Sequence, residues 1–358
     1  FNKENILTQL PEKFIDEAIE AISSWDNYAP TPLIKLNKLN DELKLKNIYY
    51  KDEDKRFELK SFKALGGAFA VYKIASEKKN ITVSTATAGN HGRSVAWGAQ
   101  RLGLKCKIFI SEFVSESRAE AMRNLDAEVI RVKGNYDNSL KECIEQSNKN
   151  NWEIVQDVSW EGYKEVPKLI MAGYTIMVKE IIDEINKNSI THVFLQAGVG
   201  GMAAAMIAGF AKLSENIPQF IIIEPENADC VFQSIKNNKP TTVDIKKETV
   251  MGGMSCGDVS SIAWEILKNS ANYCLTIPDE AISTAVALLA EKRLSNEKII
   301  GGECAVPGVI ALIGSFNNKE YLDKLKLNSE SNVLLFGCEG LTDDAMYQKL
   351  LNDGLQKI

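Results

Sequence analysis

Long apolar runs, zinc-type cysteine pairs and a strong excess of one charge are missing from this sequence of 358 residues, and histidine is scarce. No apolar run reaches the ~18 residues that a spanning helix needs, which argues against a helical membrane protein. The opening "FNKENILTQLPEKF" has neither the basic flank nor the apolar centre of a signal peptide, so a cytoplasmic setting is expected. The 9 Pro and 23 Gly are too few for a fibrous or disordered chain, and no repeat or low-complexity tract appears. A net charge of -6 arises from 48 acidic and 42 basic residues that are interspersed. That leaves no basic stripe for nucleic acid and no polybasic patch for lipid, so a small-molecule partner is the default. Cys106, Cys143, Cys230, Cys256, Cys274, Cys304 and Cys338 are scattered, odd in number and never spaced C-x-x-C, and the histidines are His91 and His192 alone. No metal site is expected, and the thiols read as small buried residues.

What is present is ordinary for a globular protein: 45% hydrophobic and 25% charged residues, on a chain longer than one domain usually needs. Short apolar runs at 47–51, 80–86, 106–111, 128–134, 153–157, 192–196, 220–224 and 332–338 predict strands. Segments with helical spacing at 92–102, 136–148, 163–187 and 201–213 lie between them. The alternation predicts βαβ units, hence an α/β protein with mostly parallel twisted sheets flanked by helices.

Three clusters could carry chemistry. In "RFELKSFKALGGAFA" (56–70) Lys63 sits among small and apolar residues, either snorkelling to water or held inside, where lost hydration makes an amine nucleophilic. In "TATAGNHGRSVAW" (85–97) a strand runs into a helix whose free N–H groups suit an anion or carboxylate, with Asn90 a possible donor and His91 beside it. A plain turn capped by Asn fits the same residues. In "LQAGVGGMAA" (195–204) Gly198, Gly200 and Gly201 precede an Ala-rich helix, a pattern that cradles phosphate. The same segment satisfies G-x-G-x-x-A, and Glu224 falls 26 residues after Gly198, so a dinucleotide site stays open on this loop alone.

Those three segments, with "EIVQDVSWEGY", "IIIEPENADC" and "MGGMSCG", stand in an order and spacing that resemble the diaminopropionate ammonia-lyases, fold-type-II pyridoxal 5'-phosphate enzymes related to threonine dehydratase and the tryptophan synthase β-subunit. The likeness runs from about Trp25 to about Asp344. It implies a pyridoxal phosphate cofactor bonded to Lys63, with Phe62 beside it and Asn90 facing its phenolic oxygen. It also implies a phosphate loop of Gly198, Val199, Gly200, Gly201 and Met202. Asp157 is implied as a catalytic acid, and Ala88, Gly89, His91 and Tyr136 as substrate-side residues. The partner of the pyridine nitrogen falls at Cys338, where relatives carry Ser or Thr. Two domains are implied, a large one of 1–66 and 166–358 and a small mobile one of 67–165, in a homodimer. Cys230 and Cys256 match cysteines of the family and are expected close enough to pair on oxidation.

One departure bears on substrate. The family reads "TDGNHG" where this chain reads "TAGNHG", so the carboxylate regarded as the base for D-substrates is replaced by Ala88. Dehydratases of the superfamily carry "SAGNH" there. The resemblance therefore implies α,β-elimination of a small L-amino acid, first L-2,3-diaminopropionate to pyruvate and ammonia. The alternatives are an L-serine or L-threonine dehydratase-like lyase and a non-catalytic cofactor-binding paralogue.

Overall fold

A computed structural model of the chain describes residues 1–87, 89–185 and 189–358, and Ala88 lies outside them. The strands form two sheets. In the larger, β1 (Leu33–Lys35), β2 (Asn47–Asp52), β10 (Asn332–Gly337), β7 (His192–Gln196), β8 (Gln219–Pro225) and β9 (Tyr273–Ile277) lie side by side in that order. Every pairing there is parallel except β1 with β2. In the smaller, β5 (Glu128–Val132), β4 (Lys105–Ser111), β3 (Thr82–Ala86) and β6 (Glu153–Ile154) are all parallel. Strands β7 and β10 are buried along their whole length, which is why they read as unbroken apolar runs.

Two compact units result, one of residues 1–11, 29–60 and 177–358 holding the larger sheet, the other of residues 12–28 and 61–176 holding the smaller. The expected boundaries at 66/67 and 165/166 are thus displaced, and residues 12–28 join the second unit. The reason is helix packing. The Lys63–Glu77 helix packs on the Glu165–Tyr174 helix, and the Glu12–Ser23 helix packs on both, through Ile15, Ala18 and Ile22.

Other differences are local. Strands β1 and β9 were not legible: the first is three residues long, and the second is only half-buried. The expected helix over 163–187 is two helices, Glu165–Tyr174 and Ile176–Glu184, because Thr175 turns its hydroxyl onto the Ala172 carbonyl at 2.6 Å. The end of that expectation, 186–188, lies outside the described residues. Among the described residues no helix is long and apolar enough to cross a membrane.

The first unit also buries an ionic cluster that no apolar pattern could announce. Glu180 bonds Lys51 Nζ at 2.6 Å and both Arg56 nitrogens Nη1 and Nη2 at 2.8 Å, while Glu53 takes Arg56 Nε at 2.8 Å. All four side chains are shielded from water. Arg56 and Lys51 hold the Glu180 carboxyl below its usual range although burial works the other way. Removing one member strands opposite charges in a medium that cannot solvate them. Glu180→Ala is therefore expected to cost about 3–5 kcal/mol of stability, read by denaturant unfolding, while Asp183→Ala on the exposed face of the same helix should stay within ~0.5 kcal/mol.

Candidate active site

In the second unit Lys63 opens its helix, with Ser61 Oγ accepting from the Lys63 N–H at 3.3 Å. The residues after it, Ala64 through Ala70, are buried, so the amine is anchored on a rigid element while its tip stays one quarter exposed. It does not snorkel freely. Nζ donates to Asp157 Oδ2 at 2.5 Å and lies 5.4 Å from the Phe62 ring centre and 5.8 Å from that of Tyr174. Phe62 and Tyr174 pack edge to face at 4.7 Å, walling the amine with apolar surface.

Asp157 is presented by a strand that stops early. The expected strand at 153–157 is β6 alone, followed by one further bond from the Val155 N–H to the Ser84 carbonyl at 2.8 Å. From there the Gln156 side chain takes over the pairing. Its Oε1 accepts from the Ala86 N–H at 3.1 Å and from Thr85 Oγ1 at 2.8 Å, and its Nε2 donates to the Ala86 carbonyl at 2.9 Å. The main chain is thereby released from the sheet and can turn Asp157 towards Lys63. Burial works to raise the Asp157 carboxyl, yet His91 and Lys63 beside it hold it well below the usual carboxylate range.

The remaining expected residues of this unit gather nearby in the fold. Asn90 is the first residue of the Asn90–Arg101 helix and Gly89 its cap, without any side-chain cap bond, so the reading of Asn90 as a capping residue is corrected. His91 is buried, its Nε2 meeting the Val155 carbonyl at 2.8 Å and its Nδ1 standing 3.7 Å from Asp157 Oδ2. Tyr136 meets Gln156 Nε2 through its hydroxyl at 2.7 Å. Gln156 and Tyr174 were missed by sequence reasoning. A hydroxyl in the apolar helix "KLIMAGY" was the available signal for Tyr174, whose phenol burial pushes up while Lys63 pulls it down.

The first unit carries the glycine loop, Gly198–Met202, between β7 and the Gly201–Leu213 helix. Gly200 caps that helix with φ +89°, and a Cβ there would meet Leu267 Cδ1 at 2.9 Å. The first turn of the helix has no acidic residue, so its N–H groups are electrostatically fit for an anion. Cys230 Sγ lies 3.6 Å from the Gly198 carbonyl, and a Cβ on Gly198 would fall 3.0 Å from Cys256 Sγ, so the two thiols flank that glycine. They are reduced, with no disulfide joining them. Cys338 follows β10, is buried, and donates through Sγ to the Cys304 carbonyl at 3.0 Å.

Glu224 settles the dinucleotide alternative. Its two oxygens accept from the Val231 and Phe232 N–H groups at 2.8 and 2.7 Å, and burial raises its carboxyl to about 8. It is fully buried and holds the start of the Cys230–Asn237 helix, so it does not present an oxygen to a ribose.

Known proteins resemble this chain along most of its length. Residues 25–338 match the family described as pyridoxal-phosphate dependent enzyme. The chain is similar to diaminopropionate ammonia-lyase of Escherichia coli strain K12, 34% identical over 351 residues that span 91% of this chain and 88% of the relative. Likeness to diaminopropionate ammonia-lyase of Salmonella typhimurium is also 34%, over 92% of this chain and 89% of that one. The solved Escherichia coli enzyme in complex with an aminoacrylate-PLP azomethine reaction intermediate superposes with a TM-score of 0.90 at 32% identity, covering 97% of this chain and 93% of that one.

Proposed function

The chain belongs to the pyridoxal-phosphate dependent enzymes, as a fold-type-II ammonia-lyase, and we propose that its substrate is L-2,3-diaminopropionate, converted to pyruvate and ammonia. The observation that carries the reading is the Lys63–Asp157 ion pair, an amine of nucleophilic type and a carboxylate held ionised within 2.5 Å of it.

Each unit carries residues of the kinds the cofactor needs. On this reading Lys63 of the second unit would hold its aldehyde carbon and Asn90 would serve its phenolic oxygen, Gly198–Met202 of the first unit would offer N–H donors to its phosphate, and Cys338, whose Sγ donates to the Cys304 carbonyl, falls at the family's pyridine-nitrogen position. When bound, pyridoxal phosphate supplies a conjugated ring that accepts the electron pair left on the substrate's Cα.

The protein's own groups do the rest. Lys63 Nζ takes the α-proton of an L-substrate. Asp157, kept as a carboxylate, accepts hydrogen bonds from the β-ammonium group and so keeps it protonated and ready to leave as ammonia. A hydroxyl leaving group gains less from an ionised carboxylate, which favours diaminopropionate over serine or threonine. The Phe62 and Tyr174 rings cover one side of the amine with apolar surface.

Stereochemistry gives a sharp expectation from the sequence. With Ala88 in place of the family carboxylate, the opposite face of the substrate has no base at that position, and absence of a positioned base costs about 10²–10⁴ in rate. D-2,3-diaminopropionate should therefore react at or near background, and Ala88→Asp should restore part of that activity. A panel of L- and D-amino acids scored for keto acid and ammonia reads both points. Equal turnover of the two isomers by the unmutated protein contradicts the role given to position 88, and preference for L-serine or L-threonine contradicts the substrate. Action as a cytoplasmic homodimer belongs to the same proposal, tested by light scattering at twice the chain mass.

A further inference from the structure

The imidazole of His91 is buried and bonded on one side only. A carbonyl oxygen cannot donate, so the 2.8 Å contact with Val155 requires the proton on Nε2. In the neutral ring Nδ1 is then a bare acceptor, and among the described residues it has no hydrogen-bond partner. It faces another acceptor, Asp157 Oδ2, at 3.7 Å, and that same oxygen carries Lys63 Nζ at 2.5 Å. Two acceptors pointed at each other in a site nearly closed to water are unfavourable unless a proton can enter between them.

We propose that His91 is a positioning residue that exchanges charge with Lys63: it takes a proton on Nδ1 whenever Lys63 Nζ is no longer an ammonium, and releases it when that charge returns. The three groups then always hold one cation against the Asp157 carboxylate. Asp157 stays ionised and fixed through the cycle, although Lys63 must be uncharged to attack a carbonyl carbon or to take an α-proton.

The electrostatics support that exchange. Burial lowers the basicity of His91 most, Asp157 raises it and Lys63 lowers it again. Burial and the Lys63 charge thus hold the ring below its ordinary basicity. The titratable groups facing the pair are few: Lys63 on its helix, Asp157 after β6, and the phenols of Tyr163 and Tyr174, both pushed up by burial and so uncharged. Removing the Lys63 charge deletes the cation that, among the described residues, opposes protonation and leaves the carboxylate that favours it. The sign is fixed: the basicity of His91 must rise.

The inference rests on the lyase reading only for its use in catalysis, and its test needs no cofactor. Nitrogen-labelled histidine in the cofactor-free protein gives two ring systems, His91 and His192, and His192 is an internal reference held by the Leu325 carbonyl and the Thr191 hydroxyl. In Lys63→Met the His91 titration should move up by about one unit or more, the size expected when a cation within a few ångströms is removed. In Asp157→Asn it should move down, with His192 unmoved in both. A His91 titration that stays put in both variants overturns the proposal and leaves the lyase reading standing. As a second measurement, His91→Gln keeps a donor for Val155 and removes the titrating nitrogen. The loaded variant should lose one limb of the kcat–pH profile with KM little changed, and an unaltered profile overturns the proposal.

Discussion

Replacing Lys63 by Ala is expected to abolish cofactor attachment and lower turnover by at least ~10³-fold, because the proposed mechanism gives one residue both the covalent link and the base. The same change removes the partner of Asp157. To separate chemistry from structure, Lys63→Arg keeps a cation near Asp157 but replaces a nucleophilic amine with a guanidinium that does not deprotonate. The Arg variant should fold with near wild-type stability, show no visible absorbance from attached cofactor and remain as inactive as the Ala variant. Borohydride reduction followed by peptide mass mapping checks the assignment: the cofactor should be found on Lys63 in the wild type, and its recovery on another lysine contradicts it.

The second large effect concerns the phosphate loop. Gly200→Val puts a β-branched side chain where φ is +89°, a region that such residues avoid at a cost of about 1–3 kcal/mol. Its Cβ would also strike Leu267 Cδ1 at 2.9 Å and Ala263 Cβ at 3.1 Å, so the loop must shift to admit it. The N–H groups proposed to hold the phosphate shift with it. Cofactor affinity should fall by about 10- to 100-fold, the equivalent of ~1.4–2.8 kcal/mol. Equilibrium dialysis measures this, and retention equal to wild type would move the cradle elsewhere.

The α/β class and the larger sheet were legible because parallel strands buried on both faces write unbroken apolar runs, as at "HVFLQ" and "NVLLFGC". Strands β1 and β9 were not, since a three-residue pairing and a half-buried strand leave almost no periodic trace. Lys63 and Asp157 could be named singly from composition and resemblance. Their pairing across 94 positions could not, since nothing local in "SFKAL" points to "VQDVS". Gln156 shows the same limit from another side, because a glutamine beside an acid looks like an exposed strand end until the sheet places it against Ala86. The ionic cluster of Lys51, Glu53, Arg56 and Glu180 reads in sequence as ordinary surface charge, and only tertiary packing buries it. Residue 88, on which the stereochemical expectation turns, was visible solely as a departure from a family pattern.

The most direct measurement of the central claim is the product ratio from L-2,3-diaminopropionate incubated with the cofactor-loaded protein, with pyruvate and ammonia assayed in one sample. The substrate carries two amino groups, one lost in elimination and one in the hydrolysis that yields the keto acid. Two ammonia per pyruvate, with L-serine and L-threonine giving far slower keto acid release, is the expected result. Cofactor binding without pyruvate, or faster release from either hydroxy amino acid, would contradict the assignment.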